Sequence, residues 1–176
     1  SPDTVKKYVG LGAQVAIEAG AGLSAAITDD AFKAAGAEIV GDAASALGGA
    51  DLVLKVQRPD GDELSHIKRG AVLAAILNPY NAKESIADYA TRGIDAMAME
   101  LVPRITRAQA MDVLSSQANL AGYRAVIDAA AEFGRAFPMM MTAAGTVAPA
   151  RVLVMGVGVA GLQAIATARR LGAIVS

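Results

Sequence analysis

The chain has no cysteine and no tryptophan, and aromatic residues make up only 4% of its 176 positions. Without thiols there is no disulfide, no thiolate nucleophile and no cysteine-held metal, a composition that fits a reducing compartment. Histidine is nearly absent too: His66 stands alone in a polar segment, E-L-S-H-I-K-R, and is expected to be exposed. No Ser-His-Asp set and no metal-ligand spacing can be assembled around one histidine. Charge is sparse and balanced, with 16 basic and 17 acidic residues and a formal net charge of −1. No basic run is present, which argues against nucleic acid as a partner. Ser1-Pro2-Asp3-Thr4 is polar and reads as a helix start, not as an apolar signal segment. Val152 to Ala168 carries no charge, but three glycines and a glutamine interrupt it. A membrane span needs about 20 apolar residues; a buried strand, a turn and a packed helix account for this stretch better.

What is present is a chain that is 54% hydrophobic and rich in alanine and glycine, long enough for one domain and part of another. Strand-like and helix-like segments alternate with a short period. Helices are expected at Pro2–Leu11, from Thr28 to near Gly36, at Ala43–Leu47, Asp62–Arg69 and Ala82–Thr91. Strands are expected at Gln14–Ala19, Glu38–Val40, Leu52–Val56, Ala71–Leu77 and Ile94–Met99. Such alternation predicts an α/β fold of Rossmann-like parallel sheets flanked by helices. From Arg107 to Phe137 no proline appears, and a helix of that length would span about 45 Å. This divides the chain into an N-terminal lobe at 1–106, a long connecting helix at 107–137 and the start of a second lobe at 138–176. The first lobe opens on a helix where a strand is usual, so its first strand is expected to be missing, and the second lobe is expected to be truncated.

Near the end of the chain, A-R-V-L-V-M leads into G-V-G-V-A-G, with Gly156, Gly158 and Gly161 in the G-x-G-x-x-G spacing, and a helix-forming run follows. In a dinucleotide-binding turn the first glycine permits the bend, the second lets backbone approach a pyrophosphate, and the third lets helix and strand pack closely. The amides at the following helix start, near Val159, would face the phosphates. The same spacing also serves as a plain packing turn. The acidic residue that grips the ribose is expected about 20 residues after such a turn, beyond Ser176.

Two other polar groupings follow strands. Pro103 to Gln117 concentrates Arg104, Arg107, Gln109, Asp112, Ser115, Ser116 and Gln117 after a strand. Strand ends of open α/β sheets are where ligands sit, and Gln, Arg and Asp can hydrogen-bond a carboxamide; an ordinary solvated helix start has the same composition. Lys55, Gln57 and Arg58 lie in K-V-Q-R-P, at the end of the most apolar strand. A lysine there is costly unless it snorkels to the surface or reaches a partner, either a substrate carboxylate or an acidic neighbour. With no nucleophile and no histidine base in place, an enzyme built on this chain would need chemistry without a protein acid or base; hydride transfer between nicotinamides is one such chemistry, in which the cofactors supply reactivity and the protein supplies position.

The stretches R-I-T-R-A-Q-A-M-D-V-L-S-S-Q and P-A-R-V-L-V-M-G-V-G-V-A-G-L-Q-A-I-A-T-A-R-R-L-G, with K-V-Q-R-P and M-A-M-E-L-V-P-R upstream, closely resemble the NAD(H)-binding component of proton-translocating NAD(P) transhydrogenases. Alanine dehydrogenases share the architecture. The resemblance implies two Rossmann-like domains with NAD(H) in the cleft and a homodimer peripheral to a membrane domain, on the cytoplasmic side of a bacterial inner membrane. Hydride would pass from NADH to NADP⁺ in the NADP(H) site of a partner component, coupled to proton movement. It places Arg104, Gln109, Asp112 and Ser115 on the nicotinamide side, with Arg107 beside them. The pyrophosphate turn falls at Gly156, Val157, Gly158, Val159, Ala160 and Gly161. Asn78-Pro79-Tyr80-Asn81 falls where an alanine dehydrogenase would place its catalytic histidine, and none is there. An alanine-dehydrogenase-like enzyme and an inactive dimerisation scaffold are the alternatives.

Overall fold

The computed structural model describes residues 1–176, which divide into two compact units, Ser1–Leu101 and Val102–Ser176. The first unit runs α1 (Pro2–Gly10), β1 (Ala16–Glu18), a 3₁₀ turn (Leu23–Ala25), α2 (Asp29–Ala34), β2 (Glu38–Val40), α3 (Ala43–Leu47), β3 (Leu52–Gln57), α4 (Gly61–His66), β4 (Val72–Ile76), α5 (Lys83–Arg92), β5 (Asp95–Ala98) and a closing 3₁₀ turn (Met99–Leu101). Strands β1 and β2 form a parallel pair, and β3-β4-β5 form a parallel sheet in that order. Parallel neighbours require crossovers, and helices provide them.

Local chemistry sets these boundaries. Ser1, Thr28, Asp42 and Asp60 each accept a backbone N–H three residues on, which satisfies one orphan donor of the following helix. Asp60 and Glu63 complete a reciprocal capping box. On β4, Leu73 and Ala75 alternate with less buried neighbours. With Leu77, Ile94, Leu64 and Tyr89 they form the main core of this unit. Burying a leucine of this kind contributes about 2 kcal/mol.

The second unit contains a 3₁₀ turn (Thr106–Met111), α6 (Val113–Glu132), β6 (Met140–Thr142), β7 (Gly145–Val147), β8 (Arg151–Val152), α7 (Val159–Arg170) and β9 (Ile174–Val175). Here the sequence expectation fails. The helix expected over 107–137 begins only at Val113 and ends at Glu132, so its 20 residues span about 30 Å. Asp112 starts it by accepting the amide of Ser115, and Gly134, at φ +67°, ends it in the left-handed region that favours glycine. The helix lies within the second compact unit, which begins at Val102. Between this helix and β8 the chain carries the exposed antiparallel hairpin β6-β7.

Strands β8 and β9 pair in parallel, and Val154 N–H extends the pairing to the carbonyl of Ser176. The strand before the glycine turn, expected to be buried, is covered on one face only. Val152 packs on the core with Val126, Phe137, Ala150 and Ala168, whereas Leu153 and Met155 face away and are exposed. Helices α6 and α7 approach closely because Gly122 has no side chain: a Cβ there would lie 2.1 Å from the carbonyl oxygen of Ala160.

Candidate functional site

Within the second unit, the 3₁₀ turn, the start of α6 and the start of α7 converge on one cavity. Its volume is about 510 Å³, and Arg104, Gln109, Asp112, Ser115, Ser116 and Val159 line it. The polar segment after β5 and the glycine turn, separated by some forty residues of sequence, therefore share one space.

Asp112 is the best anchored of the polar groups. Its carboxylate accepts the Ser115 amide at 2.9 Å and the Ser115 hydroxyl at 2.6 Å, while its own carbonyl accepts the Ser116 hydroxyl at 2.8 Å. The Ser115 hydroxyl and amide bonds hold the Asp112 pKa below the ordinary carboxylate value, with a further downward pull from Arg104. The cavity thus keeps a fixed negative charge beside a cation. Gln109 is exposed and carries both a donor and an acceptor, the pair a carboxamide requires.

On the opposite side the three turn glycines have different reasons to be glycine. Gly156 sits at φ +105°, a conformation that side chains rarely adopt. At Gly161 a Cβ would lie 2.0 Å from the Gly156 carbonyl oxygen, so packing excludes it. Gly158 has neither reason: its φ is −72°, and an added Cβ would meet nothing within 4 Å. As N-cap of α7 it offers no side-chain bond, and the amides of Val159, Ala160 and Gly161 have no acceptor in the chain. An open backbone surface at a helix start is the arrangement that accommodates a phosphate.

Of the expected site residues, Arg104, Gln109, Asp112, Ser115 and Val159 line the cavity. Gly156, Val157, Gly158, Ala160 and Gly161 form the turn beside it, with Val157 exposed and the Ala160 carbonyl against Gly122. Arg107 is exposed and lies outside the lining. Ser116, part of the polar segment but not singled out for a ligand role, joins the lining. In the first unit, Lys55 pairs with the acidic neighbour Glu63, both about one-quarter exposed, and His66 is exposed. No helix is long and apolar enough to cross a membrane.

Comparison with known proteins covers nearly the whole chain. The alanine dehydrogenase/PNT N-terminal domain pattern matches residues 1–121, and the corresponding C-terminal domain pattern matches 125–176. The chain is 64% identical over 180 residues to an NAD(P) transhydrogenase alpha-subunit protein of Rhodospirillum rubrum, covering 99% of this chain and 47% of that protein. A crystal structure of transhydrogenase from Sinorhizobium meliloti superposes with a TM-score of 0.96 at 59% identity, covering 99% of this chain and 52% of the other. Alanine dehydrogenase of Mycolicibacterium smegmatis is 34% identical over 179 residues, covering all of this chain and 48% of that protein. The chain therefore spans about half the length of the curated relatives it matches.

Proposed function

Because this chain belongs to the alanine dehydrogenase/PNT family, we propose that it forms part of the NAD(H)-binding component of a transhydrogenase. In this reading NADH bound here passes hydride directly to NADP⁺ held by a partner component, in a complex that couples the transfer to proton translocation. The component works as a homodimer, peripheral to the partner membrane domain on the cytoplasmic side of a bacterial inner membrane. The observation that carries the reading is Gly158: nothing inside the fold requires a glycine there, and the free amides of Val159, Ala160 and Gly161 stand beside it.

Each residue then has a role that its surroundings support. The α7 start and the bare Gly158 backbone hold the pyrophosphate. Gln109 pairs with the carboxamide by donating and accepting. Asp112, kept ionised by Ser115, provides an acceptor that does not move, and Arg104 balances its charge. When bound, the nicotinamide supplies the hydride chemistry, and the protein contributes position and electrostatics. This division suits a cavity whose lining holds no histidine, lysine or cysteine to move a proton. The higher identity to transhydrogenase than to alanine dehydrogenase favours this reading over amino-acid deamination.

The test is a fluorescence titration with NADH beside NADPH, on this chain and on the chain extended to the length of its transhydrogenase relatives. Saturable binding selective for NADH in the extended protein is expected. Absence of binding in both, or equal affinity for NADPH, overturns the assignment.

A further inference from the structure

We propose that Asn119 and Gln163 are positioning residues for hydride transfer. They tie α6 to α7 one turn behind the cavity, and so set the spacing between its nicotinamide side and its pyrophosphate side. Their role rests on the nucleotide reading above, and neither side chain lines the cavity.

Ser115 and Ser116 line the cavity from α6, and Asn119 follows them by four and three residues, which puts it on their face of the helix. Val159 lines the cavity from α7, and Gln163 follows it by four residues, again on the same face. The two side chains meet across the helices: Asn119 Nδ2 donates to Gln163 Oε1 at 3.4 Å. Beside this bond the helices touch through bare backbone, since a Cβ at Gly122 would lie 2.1 Å from the Ala160 carbonyl oxygen. Farther along both helices the contact is apolar, with Val126 and Ala130 in one cluster with Ala164 and Ala168. The polar bond is thus placed at the end of the helix pair that faces the cavity.

Gln163 is held at both ends of its carboxamide. The hydroxyl of Thr167, a buried residue, donates its one proton to the Gln163 carbonyl at 2.8 Å. Toward the Gln163 side chain that hydroxyl can therefore only accept, and it does so from Nε2 at 3.1 Å. This turns Oε1 toward α6, where it needs a donor, and Asn119 supplies one. A glutamine on a solvated helix face needs no such fixing; one that sets a distance between helices does. The two helix starts carry the two halves of the proposed site, Asp112 and Ser115 on α6 and the open amides on α7. A dinucleotide gripped at α7 has a fixed reach, so a change in helix spacing moves its nicotinamide relative to Gln109. Hydride transfer needs the reacting atoms about 3–3.5 Å apart, and a displacement of about 1 Å can cost about 100-fold in rate. The pyrophosphate contacts travel with α7, so affinity is less sensitive to the same displacement.

The experiment compares wild type, Asn119→Ala, Gln163→Ala and the double variant, each in the chain extended to the length of its transhydrogenase relatives. NADH affinity is read by fluorescence titration, and hydride transfer by single-turnover reduction of NADP⁺ at saturating NADH in the complex with the partner component. Each single variant should slow transfer about tenfold while NADH affinity changes by less than about twofold. The double variant should be no slower than Gln163→Ala, because both changes remove one bond. Gln163→Glu keeps an oxygen for Asn119, and the Thr167 hydroxyl can turn to donate to the other, so transfer should recover to within about threefold of wild type. A general loss of stability would not be rescued in this way. Transfer within twofold of wild type in Gln163→Ala, losses that multiply in the double variant, or affinity that falls as far as the rate overturns the positioning role. A wild-type protein that neither binds NADH nor reduces NADP⁺ overturns the nucleotide reading and this role with it, and that failure is told apart because it appears before any substitution is made.

Discussion

Two helix starts border the same cavity in the second unit, and they are finished in opposite ways. Helix α6 begins under Asp112, whose carboxylate already occupies the positive end of the helix and takes the Ser115 amide. Helix α7 begins under Gly158, which brings no side chain, and its first three amides are unclaimed. The same orphan donors exist at both starts by geometry. At α6 the protein supplies the negative group, and at α7 it leaves the place open. The contrast separates a helix start that holds a structure together from one that waits for a ligand.

The largest effect should follow from closing the open start. Gly158→Leu puts a side chain where the chain has only backbone, and no neighbour obstructs it. NADH affinity should fall about 100-fold or more, equivalent to nearly 3 kcal/mol, with little change in melting temperature. The pairing of lost binding with kept stability is the informative part. If Gly158→Leu binds NADH like wild type, the two starts do not differ in function.

Next in size is the contact that keeps the starts together. Gly122→Ala drives a methyl into the Ala160 carbonyl, 2.1 Å away, and only a shift of α6 against α7 relieves it. Overpacking of this sort costs about 1–3 kcal/mol, so chemical denaturation should show a lowered midpoint, and NADH affinity should fall with it because Val159 moves relative to Gln109. A full-strength site in a destabilised protein would show that the cavity tolerates movement between its two helices.

The capped start should yield a smaller and different loss. Asp112→Asn keeps a capping oxygen but removes the charge and weakens the bonds from Ser115. Fraying at the first turn of α6, read as faster amide exchange at Ser115 and Ser116, is expected together with weaker nicotinamide-side binding. Unchanged exchange in Asp112→Asn would mean that the carboxylate is not what starts the helix.

Much of this was legible in the residues. β2 and α3 lie at Glu38–Val40 and Ala43–Leu47, as the sequence predicts, because Asp42 and the glycines around them leave the chain little choice. Segment 104–115 and the glycine turn stand out in the sequence for the same reason, since polar residues after a strand and glycines before a helix are local signals, and both segments border one cavity. The start of α6 was not legible. Nothing in T-R-A-Q-A-M distinguishes a 3₁₀ turn from an α-helix, and Asp112 reads as one more polar helix residue. The difference matters for Arg107. In a 3₁₀ turn residues three apart share a ridge, so Gln109 aligns with Thr106 and Arg107 with Ala110, and Arg107 lies outside the cavity that Gln109 lines. The hairpin β6-β7 escaped because two three-residue strands are too short to show a period.

Acid should separate the two kinds of helix start with the smallest perturbation of all. Asp112 and Glu63 both titrate below their ordinary values of 3.8 and 4.5, the first through its bonds from Ser115, the second through Lys55 and the amide of Asp60. For a carboxylate with a depressed folded-state pKa, the stabilisation is complete above the unfolded value and is lost as pH falls through the folded value. The starts of α6 and α4 should therefore hold at full strength above pH 4.5 and loosen as the pH falls through each carboxylate's own depressed value, below 3.8 for Asp112 and below 4.5 for Glu63. The α7 start has no titrating cap and should not respond in that range. Amide chemical shifts of Ser115, Glu63 and Gly161, followed from neutral pH into acid, read the three starts side by side. Joint movement of Ser115 and Glu63 with a flat Gly161 marks α7 as the start whose charge comes from outside the protein. A Gly161 amide that titrates with them would show that an undetected carboxylate caps α7, and the contrast between the two helices would disappear.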